Sequence, residues 1–339
     1  MKLLITAEID EKHLAELRQY YDVEYLSWRR TGKIYLDAVE FAQKLKDSGA
    51  EAVVVEPDVV DEYVLDSCNL KVICSCRSNP NNISIDYATK KGIPVIHSPA
   101  RNADSVADLT IGLIISLLRK VAFADRDLHA GRVRVDDDRS MVEVYNRYTG
   151  RELSSLTYGI VGFGAVGYRV AARLHGGFGA RSILYYDPYL EESDPRLKEV
   201  GARPATLDSL MAESDVVTLH AKASDENFRM ITREHLALMK PSSVLVNTAR
   251  SSLIDEDALF DLLKQRRIGA AALDVSESEP IDSSNPFLQL DNALLTPHVG
   301  GSTIDVVERQ SAVVAEELIR FAKGERPIHL ANPEVYGGA

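Results

Sequence analysis

At 339 residues the chain exceeds the size at which one hydrophobic core usually keeps growing, so two domains are expected. Its hydrophobic share of 45% is ordinary for a globular protein and excludes extensive disorder. A net charge of −12 argues against a nucleic-acid surface, which needs clustered Lys and Arg, and no apolar run is long enough to span a bilayer.

The N-terminal stretch KLLITA is too short for a signal-peptide core and reads as a first buried strand, so a cytoplasmic protein is expected. EAVVVE, LKVICS and IPVIHS continue as strands over the first hundred residues. Between them LAELRQYY, VEFAQKLKDSG and ISIDYATKKG have the apolar spacing of amphipathic helices, two of them closed by Gly49 and Gly92. Such alternation predicts a parallel sheet covered by helices on both faces. Cys68, Cys74 and Cys76 make neither a disulfide framework nor a metal pattern. Cys74 and Cys76, two apart in a β-branched run, should point to one face of a strand as small buried residues.

One long apolar helix is expected from about Ser105 to Ala130, and residues 132–155 show no clear periodicity. A second unit opens at TYGIVGFGAVG and repeats the alternation. SILYYD, DVVTLH, SVLVNTA, GAAALDV and ALLTPH read as its strands, with LDSLMAES and IDEDALFDLLKQ as helices between them. Another long helix runs from Ile304 to Lys323. Two long helices bracketing the second unit imply that the chain leaves the first domain, builds the second and returns. The expected class is α/β with two doubly wound parallel-sheet domains, one of 1–103 with 305–339 and an inserted one of 104–304.

Gly162, Gly164 and Gly167 fit GxGxxG, a weak pattern by itself. Its setting strengthens it: the strand TYGIV enters, the helical segment VGYRVAARL leaves, and the strand SILYY ends in Asp187, twenty residues past the last glycine, with Ala165 and Val166 of the loop also expected at the cofactor. Gly162 permits the tight turn, Gly164 lets backbone approach a pyrophosphate, and Gly167 allows close helix–strand packing. The helix N-terminus offers unpaired N–H groups to phosphate. Asp187 can accept the adenosine ribose hydroxyls and would repel a 2′-phosphate, so NAD is expected.

With GIVGFGAVGYRVA, VLVNTARSSLIDEDAL, GAAALDVSESEP and TPHVGGST in this order, the chain resembles the D-isomer-specific 2-hydroxyacid dehydrogenases, the family of phosphoglycerate, glycerate and formate dehydrogenases. The resemblance covers almost the whole chain from LKVICS to ANPEV and is weakest in the first fifty residues. It implies a Rossmann NAD-binding domain inserted into a flavodoxin-like substrate domain, pairing as a homodimer through the NAD-binding domain. It also implies hydride transfer between nicotinamide and C2 of a small D-2-hydroxy acid. Matched by position, Arg250, Glu279 and His298 form the catalytic set. Histidine, with an ordinary pKa of ~6.5, suits proton transfer in both directions near neutral pH. A carboxylate beside it favours imidazolium and orients the ring. Arginine supplies a planar fork for the substrate carboxylate. The resemblance further places His220, Lys222, Thr248, Ala249, Asp274 and Gly300 at the cofactor, Asp274 on the nicotinamide carboxamide, and Arg77, Ser78 and Asn79 at the substrate. Taken singly, each of these residues also reads as an ordinary loop, cap or surface residue; one reaction served by three of them at predicted strand ends is what favours function.

The chain departs from the family in three places. Lys222 replaces the proline of a His-x-Pro element. The substrate loop, roughly GxGxDNID in relatives, reads Cys76-Arg77-Ser78-Asn79-Pro80-Asn81-Asn82-Ile83, with Arg77 and Asn79 in place of both glycines and Ser75 where phosphoglycerate enzymes carry an arginine. The segment Tyr145-Asn146-Arg147-Tyr148 is rich in groups that hydrogen-bond hydroxyls and is expected near the active site. These features point to a sugar-acid-like substrate. D-3-phosphoglycerate is the alternative, and an NAD-sensing scaffold like the C-terminal-binding corepressors is the rival from another class. A formate- or phosphite-type oxidiser fits the extra polar loops poorly.

Overall fold

A computed structural model describes residues 1–337 and divides the chain into two compact units, Met1–Arg101 with the segment from Thr303 onward, and Asn102–Ser302. The first unit holds β1 (Lys2–Ile5), β2 (Asp22–Tyr25), β3 (Ala52–Val55), β4 (Val72–Ser75) and β5 (Val95–Ile96). All pair in parallel in the order β2-β1-β3-β4-β5, with Leu4 opposite Val53 and Val53 opposite Ile73. Side chains alternate across this sheet. Leu3, Ile5, Val54 and Cys74 pack with Val314 and Leu318 of the helix Ile304–Ala322, while Leu4, Val53, Val55 and Ile73 pack with Phe41 and Leu45 of the helix Ala38–Ser48. Burial on both faces is why these strands read as unbroken apolar runs. Cys74 and Cys76 lie in one cluster as expected, and burial pushes both thiols up, away from reactivity. The edge strand β2, with a partly exposed burial pattern, gave no apolar run to detect.

The second unit carries β6 (Thr157–Val161), β7 (Ser182–Tyr186), β8 (Ala202–Pro204), β9 (Val216–Leu219), β10 (Val244–Asn247), β11 (Ala270–Leu273) and β12 (Ala293–Leu295). They form one parallel sheet in the order β12-β11-β10-β9-β6-β7-β8. Strand order reverses between β6 and β9, so the loops leaving these two strands flank the crevice where such sheets bind ligands. β8, a short edge strand ending in Pro204, is a second element the periodicity did not reveal.

The apolar stretch after Ser105 forms two helices, Ala103–Leu118 and Val121–His129, rather than one. Lys120 separates them in the left-handed region at φ 57°. The first is buried within its own unit, where Ile111, Leu113, Ile114 and Leu117 join the core with Val170 and Leu174 of the helix Ala165–Phe178. Its apolarity is thus explained inside one chain and is no sign of a partner. Residues 132–155, read as aperiodic, contain the helix Asp138–Tyr148, opened by a capping box between Asp137 and Ser140. It buries no residue, so no apolar stripe betrayed it. Among the described residues no helix is long and apolar enough to cross a membrane, and no group of His, Cys, Asp and Glu could hold a metal ion.

Candidate active site

The glycine loop leaves β6 and turns directly into the helix Ala165–Phe178. Gly162 has φ 86°, and a Cβ there would sit 2.4 Å from Ala221 N, so side-chain-free backbone is required where this loop meets the one leaving β9. A Cβ on Gly167 would meet Gly162 O at 2.2 Å. Gly164 differs: it is the N-cap, provides no side-chain cap, and has open space where its Cβ would point. Ala165 and Val166 follow as partly buried first-turn residues whose amides share the positive end of the helix. Asp187, at the end of β7, accepts the Phe163 N–H at 2.8 Å on Oδ2 and the Tyr189 N–H at 3.0 Å on Oδ1. It therefore ties the glycine loop to the strand end, whatever it accepts from a bound ligand. The open helix terminus, the bare Gly164 backbone and the adjacent carboxylate together fit a dinucleotide without a 2′-phosphate.

His220 follows β9 and donates to or accepts from Thr218 Oγ1 through Nε2 at 2.9 Å, while its Nδ1 is buried without a partner. Burial pushes its imidazolium down to about 3, so the ring is neutral. Lys222 is exposed, and its carbonyl accepts from Asn227 Nδ2 at 2.7 Å. The Ser224–Asn227 capping box and this bond stiffen a loop that lacks the family's proline.

Arg250, Glu279 and His298 follow β10, β11 and β12, three neighbouring strands, and so share one edge of the sheet. Glu279 Oε2 lies 2.8 Å from His298 Nδ1, and its Oε1 accepts the Ser276 N–H at 3.2 Å. With Nδ1 engaged, Nε2 is the ring nitrogen that can face a substrate. His298 has φ 54°, uncommon for a residue with a Cβ. Asp274 holds it there. This 1%-exposed carboxylate accepts from Thr296 Oγ1 (2.6 Å), Val299 N (2.9 Å) and Gly300 N (2.9 Å), gripping the turn on both sides of the histidine. A Cβ on Gly300 would meet Asp274 Oδ2 at 2.9 Å. Arg250 is exposed, and its Nη1 donates to Ala249 O at 2.6 Å. The fully buried Asn247 shapes that turn, accepting from Ala249 N and donating to Arg250 O, and Thr248 Oγ1 pairs with Thr110 Oγ1 at 2.9 Å. Asn247 and Thr296 were missed in the sequence, although a polar residue closing an apolar strand, as Asn247 does, is a readable sign of a shaped turn.

Arg77, Ser78 and Asn79 lie after β4 on the first unit. Arg77 Nη1 donates to Asn81 Oδ1 at 2.7 Å, its N–H donates to the fully buried Ser75, and Ser78 O pairs with His97 Nδ1. The segment expected near the active site is placed elsewhere. Arg147 and Tyr148 both bond Asp127, at 2.6 and 2.7 Å, and share a surface groove with Gly269 and Asn292. Those two precede β11 and β12, so the groove is on the sheet edge opposite to the one carrying Arg250, Glu279 and His298.

Residues 111–300 match the family model of the D-isomer specific 2-hydroxyacid dehydrogenase, NAD binding domain. The chain is 35% identical to a glyoxylate reductase of Korarchaeum cryptofilum over 98% of this chain and 96% of that one. A glyoxylate reductase of Thermococcus litoralis is 33% identical over 98% and 97%. Among solved structures, the TT0316 protein of Thermus thermophilus is similar with a TM-score of 0.84 and 29% identity, over 98% of this chain and 100% of that one. D-lactate dehydrogenase of Aquifex aeolicus, complexed with NAD and lactic acid, is similar with a TM-score of 0.73 and 27% identity, over 96% of each chain.

Proposed function

This chain belongs to the D-isomer-specific 2-hydroxyacid dehydrogenase family, and from that premise we propose that it interconverts a sugar-acid-like 2-oxo acid and its D-2-hydroxy acid. It is an NAD-dependent oxidoreductase. The observation that carries the assignment of roles is the Glu279–His298 pair at 2.8 Å, one strand away from Arg250 at the same sheet edge. NADH, when bound, supplies the hydride that reaches C2 of the oxo acid. His298 donates the proton to the C2 oxygen from Nε2 and takes it back in the reverse direction. Glu279 keeps a proton on Nδ1 and fixes the ring plane. The Arg250 fork holds the substrate carboxylate, at the cost of its bond to Ala249 O.

Selectivity for the rest of the substrate is assigned to Arg77, Ser78 and Asn79. The polar loop supports hydroxyl recognition, and the buried Ser75 leaves no cation at the position where phosphoglycerate enzymes carry one. Arg147 and Tyr148 lend no support, being committed to Asp127. The test is kcat/KM with NAD for glycerate, tetronates and pentonates, each measured against its phosphorylated form and against lactate. A site built for hydroxyls should discriminate strongly against deoxy analogues, whose missing hydroxyls leave its own polar groups unpaired. Preference for 3-phosphoglycerate or lactate over every unphosphorylated sugar acid would sink this reading of the loop.

We also propose a symmetric homodimer through the NAD-binding unit. Val121, Leu128, Met141, Val142 and Tyr145, on two successive helices, are all more than half exposed, Tyr145 at 76%.

A further inference from the structure

The helix Glu256–Lys264 takes no part in the site described above, yet its first residue is a buried acid. Glu256 is only 7% exposed. Its Oε2 accepts the Glu277 N–H at 3.2 Å, while Oε1 is buried with no hydrogen-bond partner. Glu277 belongs to the same short loop as Ser276 and Glu279, and Glu279 closes back on the Ser276 N–H before reaching His298. An acid so placed is costly, because an apolar side chain would fill the position without a desolvated carboxyl. What it provides that an apolar residue cannot is an acceptor for the loop backbone. We propose, resting on the catalytic assignment above, that Glu256 is a positioning residue: it grips the loop at Glu277 and so sets how Glu279 meets His298.

The group also carries a charge that can change. Facing it are Asp257 on its own helix and Glu277 and Glu279 on the loop, with Arg229 countering Glu277 through an ion pair of 3.0 Å. Burial pushes Glu256 up to about 7; the Glu277 N–H opposes this, and the charges of Glu277, Asp257 and Glu279 add to it. The neutral acid grips the loop without adding charge. The anion grips it more strongly, so the hold on the loop that carries Glu279 tightens as the acid ionises and sustains activity toward higher pH.

The test is the pH profile of kcat/KM for reduction of an accepted 2-oxo acid by NADH. Glu256→Gln retains an acceptor for the Glu277 N–H but cannot ionise, and its alkaline limb should move to lower pH by roughly half a unit or more. Glu256→Leu removes the grip, and kcat should fall about ten- to a hundredfold, the scale of a misplaced reacting group. NADH binding, followed by fluorescence, should persist in both, and below pH 6 Glu256→Gln should recover most of the loss seen with Glu256→Leu. A Glu256→Gln profile superimposable on wild type overturns the proposal, and this readout stands even if Glu256→Leu does not fold. His298→Ala and Glu279→Gln run in parallel separate the two failures. Full turnover in those variants defeats the catalytic assignment, whereas loss there beside an unmoved Glu256→Gln profile defeats only the positioning role.

Discussion

Replacing Asp274 by asparagine tests how the left-handed His298 is held. The carboxylate accepts from Thr296 Oγ1, Val299 N and Gly300 N, and it is 1% exposed, so no water can substitute. Asparagine keeps one oxygen, enough for the two donors now on Oδ1, but turns its own NH₂ toward the Gly300 N–H. A hydrogen bond to a charged group contributes about 1.5–3 kcal/mol, and an unpaired buried donor costs a further ~1–3 kcal/mol. Against this, a loosened turn can let His298 leave φ 54°, recovering about 1–3 kcal/mol of backbone strain. The balance is a loss of about 2 kcal/mol, read as a lower midpoint in urea unfolding. The same relaxation moves the imidazole off its line with Glu279, so kcat should fall at least about tenfold, a penalty of ~1.4 kcal/mol. Stopped-flow single turnover with saturating NADH isolates that effect from cofactor affinity. A variant with wild-type stability and a turnover rate within twofold of wild type would show that the three hydrogen bonds do not determine the position of His298.

His298→Ala and Glu279→Gln should each lose about 10²–10⁴-fold in kcat while NADH still binds, with the pH–rate profile of Glu279→Gln displaced; an unmoved profile removes Glu279 from the mechanism. Asp187→Ala should narrow the preference for NAD over NADP mainly by weakening NAD, because it also frees the Phe163 N–H of the glycine loop; equal NAD affinity in the variant counts against the assignment. Glu256 should make stability fall with rising pH. Its carboxyl is pushed from 4.5 up to about 7, so the folded chain binds the extra proton between those values. Its contribution is therefore whole below pH 4.5 and lost as pH rises through 7, by at most about 3 kcal/mol. Urea midpoints between pH 5 and 8 should show that slope in wild type and a shallower one in Glu256→Gln. For the dimer, Val142→Glu on the exposed helix Asp138–Tyr148 should yield monomer in sedimentation, and a wild type monomeric at every concentration removes the proposal.

What could be read from residues alone follows what each region buries. Strands β1, β3, β4, β6, β9, β10 and β11 are covered on both faces, so their apolar runs announced them. β2 and β8, at sheet edges, and the helix Asp138–Tyr148, which buries nothing, had no such period. The break at Lys120 was invisible because no Gly or Pro marks it, and only a left-handed backbone at a lysine separates the two helices. At the site, chemistry-bearing types at strand ends were legible: Arg250, Glu279, His298 and the glycine loop. Their supports were harder to read: Asn247 showed only as a polar residue closing an apolar strand, while Thr296 donates to the buried Asp274 carboxylate and Glu256 accepts from a backbone amide, and an amide that needs an acceptor leaves no letter in the sequence. The same limit explains why Arg147 and Tyr148 misled. Hydroxyl-binding groups announce what they can bond, but not that Asp127 has already claimed them; Tyr148, Arg132 and Arg147 together hold that carboxyl down to about 2. A polar residue outside a family's motifs is therefore informative about a substrate only once its partners inside the chain have been found.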